Sequence, residues 1–426
     1  MSDQVPNSDS MNFTRRDVLS VSGPVAVSLL GGLTIPVGCA YSEQPKKTIR
    51  LGVVGGGFGT SFYWHQHPHC KVTGVTDLRP DRRQKLIGTY QCGTVYDSLE
   101  EMAERATDID AVAVFSAPLD HVKHAKLCME RGWHVISAVP ACWTLEEAEI
   151  LKEVVERTGL TYMMAETSYY RQPTILARQL FQDGILGRLF YTEGEYYHDR
   201  GDLDRLISDK TTRFYDRDGS RTWRWGIPPM HYPTHSTGFL VGVTGERITR
   251  VSCLGWGTDD HPYVTENQYD NPYWNMSALM QTDQGNMFRC NVFWLCSATD
   301  ERAQWFGDKA TLQMAESGVH QAKLLFRSLD DRVAAEGLPP LQGSDITIPA
   351  YWRTDMLPPA MRHPSGHDNS HTFLTAEFIN ALVDERRPAI DLYDALAMTV
   401  PGIVAEQSAY KDGEQLPVPQ FARPAE

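Results

Sequence analysis

Apolar runs and helix-length segments alternate from residue 48 onwards. Residues 48–54 form a short run rich in β-branched side chains that ends in three glycines, Gly55 to Gly57. A helix-length segment follows, and a second apolar run, residues 72–76, ends in Asp77. This order predicts a strand, a tight turn, a helix and a parallel strand, which together form one βαβ unit.

The alternation continues for about 120 residues from Thr48. The pattern predicts strands at residues 110–115, 133–136 and 161–164, and helices at residues 121–131 and 145–158. The run at 110–115 is continuously apolar, as expected of a parallel strand covered on both faces. Residues 47–168 are therefore predicted to form an α/β Rossmann domain.

The pattern changes after Glu166. A helix is predicted at residues 173–182, and then strand-like segments recur at residues 189–197, 248–255, 274–282, 286–295 and 303–307. Residues 325–361 are Pro-rich and irregular, whereas 372–383 and 393–411 are helical, the latter interrupted at Pro401-Gly402. Consecutive strands with few helices between them predict a mostly antiparallel open sheet, so residues 169–426 form an α+β domain for substrate binding and oligomerisation.

The glycine turn carries the first chemical prediction. Gly55 permits a tight turn, Gly57 lets backbone N–H groups approach a pyrophosphate, and Phe58 and Gly59 complete the turn before the predicted helix offers its N-terminus. Asp77 follows Gly57 by 20 residues, where a carboxylate accepts hydrogen bonds from the adenosine ribose. The predicted cofactor is NAD, because a 2′-phosphate would meet the charge of Asp77, although Arg79 and Arg82 lie nearby.

Two loops should lie beside this turn. Both follow predicted strands, and ligands of parallel sheets bind at the carboxyl ends of the strands. The cofactor-binding residues expected there are Ser116, Pro118, His121, Val139 and Pro140.

Composition narrows the class of ligand. The chain has 426 residues and a formal net charge of −14, which argues against nucleic acid as a partner. Aromatic residues make up 10% of the chain, with ten Trp, and rings together with acidic groups suit sugar recognition, although core packing explains most of them. The eight cysteines show no metal-ligand spacing; Cys290 and Cys296 could pair, but free buried thiols are expected.

The first 46 residues are predicted to be an export signal and linker. Arg15 and Arg16 precede an apolar stretch, residues 21–37, in the manner of a twin-arginine signal. That stretch contains Gly and Pro and is too short to span a membrane stably. The expected location is the periplasm, and Cys39 is a candidate lipidation site.

The order of a dinucleotide fold, a Pro after the fifth-strand region and a C-terminal open sheet resembles the Gfo/Idh/MocA oxidoreductase family over residues 47–421. The resemblance implies a homo-oligomer that pairs through the open sheet. Dehydrogenases of that family carry Glu-Lys-Pro after the strand, and the lysine assists proton transfer. This chain has Ala138-Val139-Pro140, so the lysine is absent and simple alcohol dehydrogenation is not expected.

Further motifs resemble one branch, the NAD-dependent glycosidases of glycoside hydrolase family 109. The motifs, in chain order, are Val139-Pro140, Met163-Met164 with Tyr169 and Arg171, His198-Asp199, and Tyr232-Pro233-Thr234-His235 with Gly238. The resemblance implies that His235 and Tyr169 are catalytic. It implies substrate contacts from His198, Asp199, Arg224, Tyr232, Pro233 and Thr234.

Each assignment has a structural alternative. His235 could be a buried histidine in a turn, and Tyr169 an ordinary packed ring. Arg224 and Tyr232 could cap a helix or form a salt bridge, and His198 and Asp199 could pair with Arg200. A cluster of His363, His367, Asp368 and His371 has spacing that suggests a metal, but the resembling enzymes use none, and no metal is predicted.

The resemblance implies hydrolysis by a redox cycle. Hydride transfer from the sugar C3 to NAD⁺ gives a ketone that acidifies the C2 proton, a base removes that proton, and the aglycone leaves from C1. Water then adds, and the hydride returns. Two alternatives remain open: a sugar or polyol dehydrogenase with His235 as its base, and a non-catalytic sugar-binding protein.

Overall fold

The protein folds around two β-sheets. The structure, a computed structural model, describes residues 47–257, 260–298, 300–315, 321–326 and 341–423. The predicted export signal, including Cys39, lies outside the described residues. Within the described ranges, no helix is long and apolar enough to cross a membrane.

The first sheet is the predicted Rossmann sheet. Its strands are β1 (Ile49–Val54), β2 (Cys70–Thr76), β3 (Val95–Tyr96), β4 (Ala111–Val114), β5 (His134–Ser137) and β6 (Tyr162–Met164). All neighbours pair in parallel in the order β3-β2-β1-β4-β5-β6. The order reverses between β1 and β4, and a crevice for a ligand opens at such a switch point.

Four helices connect these strands. They are α1 (Pro80–Tyr90), α2 (Leu99–Arg105), α3 (His121–Glu130) and α4 (Leu145–Thr158). The ends of α4 show why the sequence predicted it well. The Thr144 side chain accepts a hydrogen bond from the Glu147 N–H at 3.1 Å, and Gly159 ends the helix at φ 64°, a left-handed conformation that glycine adopts without strain.

The predicted α-helix between β1 and β2 does not form. Two short 3₁₀ helices, Gly59–Ser61 and Trp64–Gln66, occupy this segment, with Tyr63 between them at φ 58°. The prediction of a helix N-terminus at the glycine turn was therefore wrong. The segment is rich in Gly, Thr, Ser and aromatic residues, which form helices poorly. A helix from the C-terminal part of the chain packs over it instead.

The second sheet is mixed and mostly antiparallel, as predicted. Its strands are β7 (Leu189–Asp199), β8 (Ile248–Trp256), β9 (Asn275–Thr282), β10 (Met287–Cys296), β11 (Asp300–Gly307), β12 (Ala310–Met314), β13 (Gln321–Phe326), β14 (Gln342–Thr347) and β15 (Leu416–Pro417). The order is β14-β13-β12-β11-β7-β10-β9-β8-β15, and the pair β7–β10 is parallel. β14 lies in a stretch that was expected to be irregular.

The helices of this part pack on one face of the sheet and against the first domain. They are α5 (Gln172–Gln182), α6 (Arg200–Ser208), α7 (Thr234–Thr244), α8 (Pro262–Thr265), α9 (Gly366–Val383) and α10 (Leu392–Ala409). α10 runs through Pro401, so the predicted interruption there is wrong. In α9, His371 Nδ1 lies 3.0 Å from the Ser61 carbonyl, and this contact joins the C-terminal helix to the segment after the glycine turn.

Candidate active site

One large cavity of about 1290 Å³ lies between the two sheets. It extends from the glycine turn and Asp77 to α7 and β10, and it exceeds the usual volume of a pocket for one drug-sized ligand. The predicted site residues that line it are Gly55, Gly57, Phe58, Asp77, Ser116, Pro118, Val139, His198, Asp199, Arg224, Tyr232 and His235. The structure therefore brings most of both predicted sets, cofactor and substrate, to one cavity.

Six predicted residues do not line it. They are Gly59, His121, Pro140, Tyr169, Pro233 and Thr234. His121 supports the two loops from behind: its Nδ1 lies 2.8 Å from the Pro140 carbonyl and its Nε2 lies 3.2 Å from the Ser116 carbonyl. Pro233 packs against Gly402 of α10, and Thr234 is buried at the start of α7. These residues shape the cavity from outside.

The glycine turn has the geometry that a dinucleotide requires. Gly55 has φ +98°, and a Cβ added there would lie 2.3 Å from the Phe115 carbonyl oxygen. At Gly57 the nearest atom to an added Cβ is 3.8 Å away, in the guanidinium of Arg82. The backbone is therefore bare on the cavity side, and Arg82 places a cation beside the turn where a helix N-terminus is missing.

The carboxylate of Asp77 is held at the end of β2. It accepts hydrogen bonds from the Gly56 N–H at 2.7 Å and the Arg79 N–H at 2.8 Å. The group remains partly exposed to the cavity and keeps acceptor capacity for ribose hydroxyls. Asp77, the bare glycine turn and the loop at Ser116 thus fit an NAD dinucleotide.

His235 pairs with a buried carboxylate. Its Nδ1 lies 2.9 Å from Glu166 Oε1, and the same oxygen accepts the Ser168 N–H at 2.7 Å. Since the carboxylate accepts, Nδ1 carries the proton, and Nε2 is the nitrogen left for the cavity that His235 lines. A carboxylate that fixes the tautomer of a histidine is the arrangement of an acid–base catalyst.

Pairing shifts the pKa values of both His235 and Glu166. Burial opposes the charged form of His235, but the negative charge and hydrogen bond of Glu166 outweigh it and raise the pKa of His235. Burial likewise opposes the charge of Glu166, yet His235 lowers its pKa. An ion pair between Arg171 and Glu301, 2.5 Å apart, lies close enough to act on the same histidine.

Aromatic rings and Arg224, all from the second domain, form another part of the cavity wall. Tyr196 lies with its ring 4.6 Å from that of His235, and Trp294 lies 6.1 Å from the ring of Tyr232. Arg224 stacks on Trp223 at 4.1 Å. Burial, together with the positive charges of Arg213 and Arg82, lowers the pKa of Arg224. Apolar faces with a few polar groups suit a sugar ring.

Tyr169 packs beside Gly242, about two turns along α7 from His235, and does not line the cavity. The Arg178 guanidinium stacks on its ring at 3.8 Å, and a Cβ added at Gly242 would lie 2.8 Å from the ring. The structure does not bring Tyr169 together with His235.

Sequence reasoning missed Glu166 and His367 as site residues. Glu166 stood in the sequence as the point where the strand pattern changes, directly after a predicted strand, and an acid at the carboxyl end of a parallel strand was the available signal. His367 was noted within a histidine cluster, yet its place in the cavity follows from packing of α9. Among the described residues, no group of three or more His, Cys, Asp or Glu could hold a metal ion.

The fold and this site define an NAD-dependent enzyme. Residues 49–166 match the GFO_IDH_MocA family model, described as "Oxidoreductase family, NAD-binding Rossmann fold". The predicted resemblance to the Gfo/Idh/MocA family is thereby confirmed, and so is NAD as the cofactor.

The names of similar proteins indicate a narrower class than the family model does. A glycosyl hydrolase family 109 protein of Saccharopolyspora erythraea is 22% identical over 98% of this chain and 95% of its own length. An alpha-N-acetylgalactosaminidase of Bacteroides fragilis is 30% identical over 33% of each chain. The predicted similarity to family 109 is thus also confirmed.

Solved structures share the fold. An oxidoreductase domain protein from Kribbella flavida has a TM-score of 0.70 at 18% identity, covering 88% of this chain and 100% of that one. The scyllo-inositol dehydrogenase from Lactobacillus casei, with NAD(H) and scyllo-inositol bound, has a TM-score of 0.65 at 16% identity over 87% of this chain and 99% of its own.

Proposed function

We propose that this protein is an NAD-dependent glycoside hydrolase that acts by transient oxidation of the sugar at C3. The observation that carries the proposal is the Glu166–His235 pair, which lies in the same cavity as the glycine turn. A sugar that contacts His235 would therefore share one cavity with the cofactor. The relatives named glycosyl hydrolase family 109 support this reaction class over a plain dehydrogenase.

The residues of the glycine turn, Asp77 and the loop at Ser116 would hold the cofactor. When bound, NAD⁺ supplies a hydride acceptor whose reduced form returns the hydride. The lysine of the dehydrogenase motif is replaced by Val139, which lines the cavity without a titratable group. In this proposal, proton transfer therefore depends on His235 and the other histidines that line the cavity.

The raised pKa of His235 suits a proton donor. Near neutral pH a larger fraction of its rings is protonated than for an ordinary histidine, and Glu166 stabilises that form. Oxidation at C3 makes the C2 proton acidic, and loss of this proton expels the aglycone from C1. In this proposal His235 gives a proton to the departing oxygen or handles the hydroxyl proton at C3.

The substrate is proposed to be a glycoside whose sugar ring lies against Tyr196, Tyr232 and Trp294. These rings offer flat apolar faces, whereas Arg224, His198 and Asp199 offer polar groups at the same wall. A sugar could pack its ring on the aromatic faces and form hydrogen bonds from its hydroxyls to these polar groups.

We further propose export by the twin-arginine route and a homo-oligomer formed through the open sheet. Support for export is the sequence of residues 14–37. Support for the oligomer is the exposure of Leu254, Trp256 and Leu279 on β8 and β9, which are 63%, 63% and 54% exposed. Exposed large apolar side chains on one sheet commonly mark an interface.

The test is a panel of chromogenic aryl glycosides, varied in sugar and anomer, assayed with and without added NAD⁺. Release of the aglycone with no net accumulation of NADH is expected. Steady NADH formation with the aglycone intact would instead establish a sugar dehydrogenase. In parallel, the purified protein is denatured and the released nucleotide measured, because a non-catalytic binding protein has no need to hold NAD.

A further inference from the structure

We propose that His367 is a second catalytic residue, whose Nε2 accepts the C2 proton of the oxidised sugar. This inference rests on the proposed function and assigns one of its steps to a residue outside the motifs that predicted it. His367 lies at the start of α9, far along the chain from every other residue of the predicted site. The residue is accessible from the cavity that it lines.

His367 lies beside His235 in the lining of the cavity. Their ring centroids are 6.3 Å apart and the ring planes differ by 19°. The ring of Phe58, in the glycine turn, lies 5.6 Å from His367. His367 therefore contacts both Phe58, in the turn that would hold the cofactor, and the ring of His235.

A chain of hydrogen bonds fixes the tautomer of His367. A carbonyl can only accept, so His371 Nδ1 donates to Ser61 O at 3.0 Å. His371 Nε2 is then an acceptor, and His367 Nδ1 donates to it at 2.8 Å. In the neutral ring of His367 the remaining nitrogen, Nε2, has a free lone pair and is the one available to a ligand.

The backbone around His367 is held in an unusual conformation. His367, Asp368 and Asn369 have φ of 48°, 51° and 68°, all in the left-handed region. Residues other than glycine in this region are strained and persist where the surroundings impose them, often at functional sites. A Cβ at Gly366 would lie 2.4 Å from His371 Cε1, so glycine is needed for the close packing of that ring.

The charges around His367 favour its neutral form. Burial and the positive charges of His235 and Arg171 lower its pKa, and the carboxylates Glu301 and Glu166 only partly offset them. His371, on the same helix, has a lowered pKa because of burial and of His367 itself. His235 is shifted in the opposite direction. Two titratable groups pushed apart in this way serve as base and acid in one site.

The step balances with these two residues. The C2–H bond of the 3-keto sugar breaks, and the proton forms an N–H bond at His367 Nε2. The electron pair left at C2 forms the C1=C2 double bond, the C1–O bond breaks, and the aglycone oxygen takes a proton from His235. No oxidant or reductant is consumed in this elimination.

The test compares His367→Asn with wild type on a glycoside that wild type cleaves, in D₂O. Asn places an amide donor near the position of Nδ1 and tolerates the left-handed backbone, but it lacks Nε2. The matched control is His363→Asn, because His363 belongs to the same segment, bonds Gln66 at 2.6 Å and does not line the cavity. Aglycone release, bound NADH, deuterium at C2 and the melting temperature are measured.

In His367→Asn, aglycone release should fall by about 10²- to 10⁴-fold, the range for a general base. Bound NADH should accumulate in a single turnover, since oxidation precedes the missing step, and deuterium exchange at C2 should be lost. Normal cleavage and exchange per folded molecule would overturn the inference, as would loss of NADH formation together with cleavage. If wild type cleaves no glycoside and reduces NAD⁺ steadily, the proposed function itself fails.

Discussion

Replacing Glu166 by Gln removes the charge beside the His235 ring and preserves the size of the side chain. Glu166 is fully buried, and its Oε1 accepts the His235 Nδ1–H at 2.9 Å and the Ser168 N–H at 2.7 Å. An opposite charge within ~4–6 Å shifts a pKa by about 1–3 units. The pKa of His235 should therefore fall in Glu166→Gln, because the charge and hydrogen bond that raise it are removed. Loss of this buried charge-assisted hydrogen bond should cost about 1.5–3 kcal/mol of stability.

The pH dependence of stability has a definite sign. The pKa of His235 is raised in the folded state, so its contribution is complete below its ordinary value of 6.5 and is lost as pH rises through the raised value. The pKa of Glu166 is lowered, so its contribution is complete above its ordinary 4.5 and is lost as pH falls. The pair stabilises most between these two ordinary values, and Glu166→Gln should lose most stability there.

The assay is thermal unfolding from about pH 5 to pH 9, with His235 titrated by NMR and turnover measured per folded molecule. Turnover should fall by about 10²- to 10⁴-fold, because a Gln amide can donate to Nδ1 and favour the other tautomer. The control is Glu406→Gln, which breaks the pair of His231 with Glu406, 2.7 Å apart and outside the cavity. An unchanged titration of His235, with a stability loss independent of pH, would refute the reasoning.

Three further variants test the remaining assignments. His235→Ala should lower turnover by about 10²- to 10⁴-fold with NAD retained, and normal turnover of a less stable protein would instead mean a structural histidine. Tyr169→Phe should keep near-normal turnover because the ring packs on Arg178 outside the cavity, so a large loss in steady-state rate would restore its catalytic assignment. Gly55→Ala should abolish nucleotide binding and destabilise the fold by about 1–3 kcal/mol or more, since the added Cβ would lie 2.3 Å from Phe115 O. Nucleotide content and melting temperature measure the two effects. Full retention of both nucleotide and stability would contradict the assigned turn geometry.

The sequence predicted elements whose causes are local. The helix Leu145–Thr158 was predicted with both ends correct because its cap residues and its apolar spacing lie within the helix and its flanks. The glycine turn and Asp77 were predicted because their spacing is set by one βαβ connection. The continuous apolar run of β4 predicted a strand covered on both faces, because a strand buried on both faces needs an apolar side chain at every position.

The tertiary structure decided what depends on distant partners. The segment after Gly57 forms helices poorly by composition, and the 3₁₀ turns that it forms instead let Phe62 and Trp64 pack against His371 and Phe378 of α9. Pro401 remains inside a helix because tertiary packing overrides its local effect. Tyr169 matched a motif, yet the orientation of its short 3₁₀ segment sets it against Arg178.

The candidate site shows the same division. His235 and the residues of the glycine turn carried local motifs and were predicted. Glu166 pairs with His235 across 69 positions of sequence, and His367 reaches the same cavity from α9. Periodicity reports which face of an element is buried, but it carries no information about which distant side chain meets it. That pairing is fixed only when the two sheets and the C-terminal helices pack together.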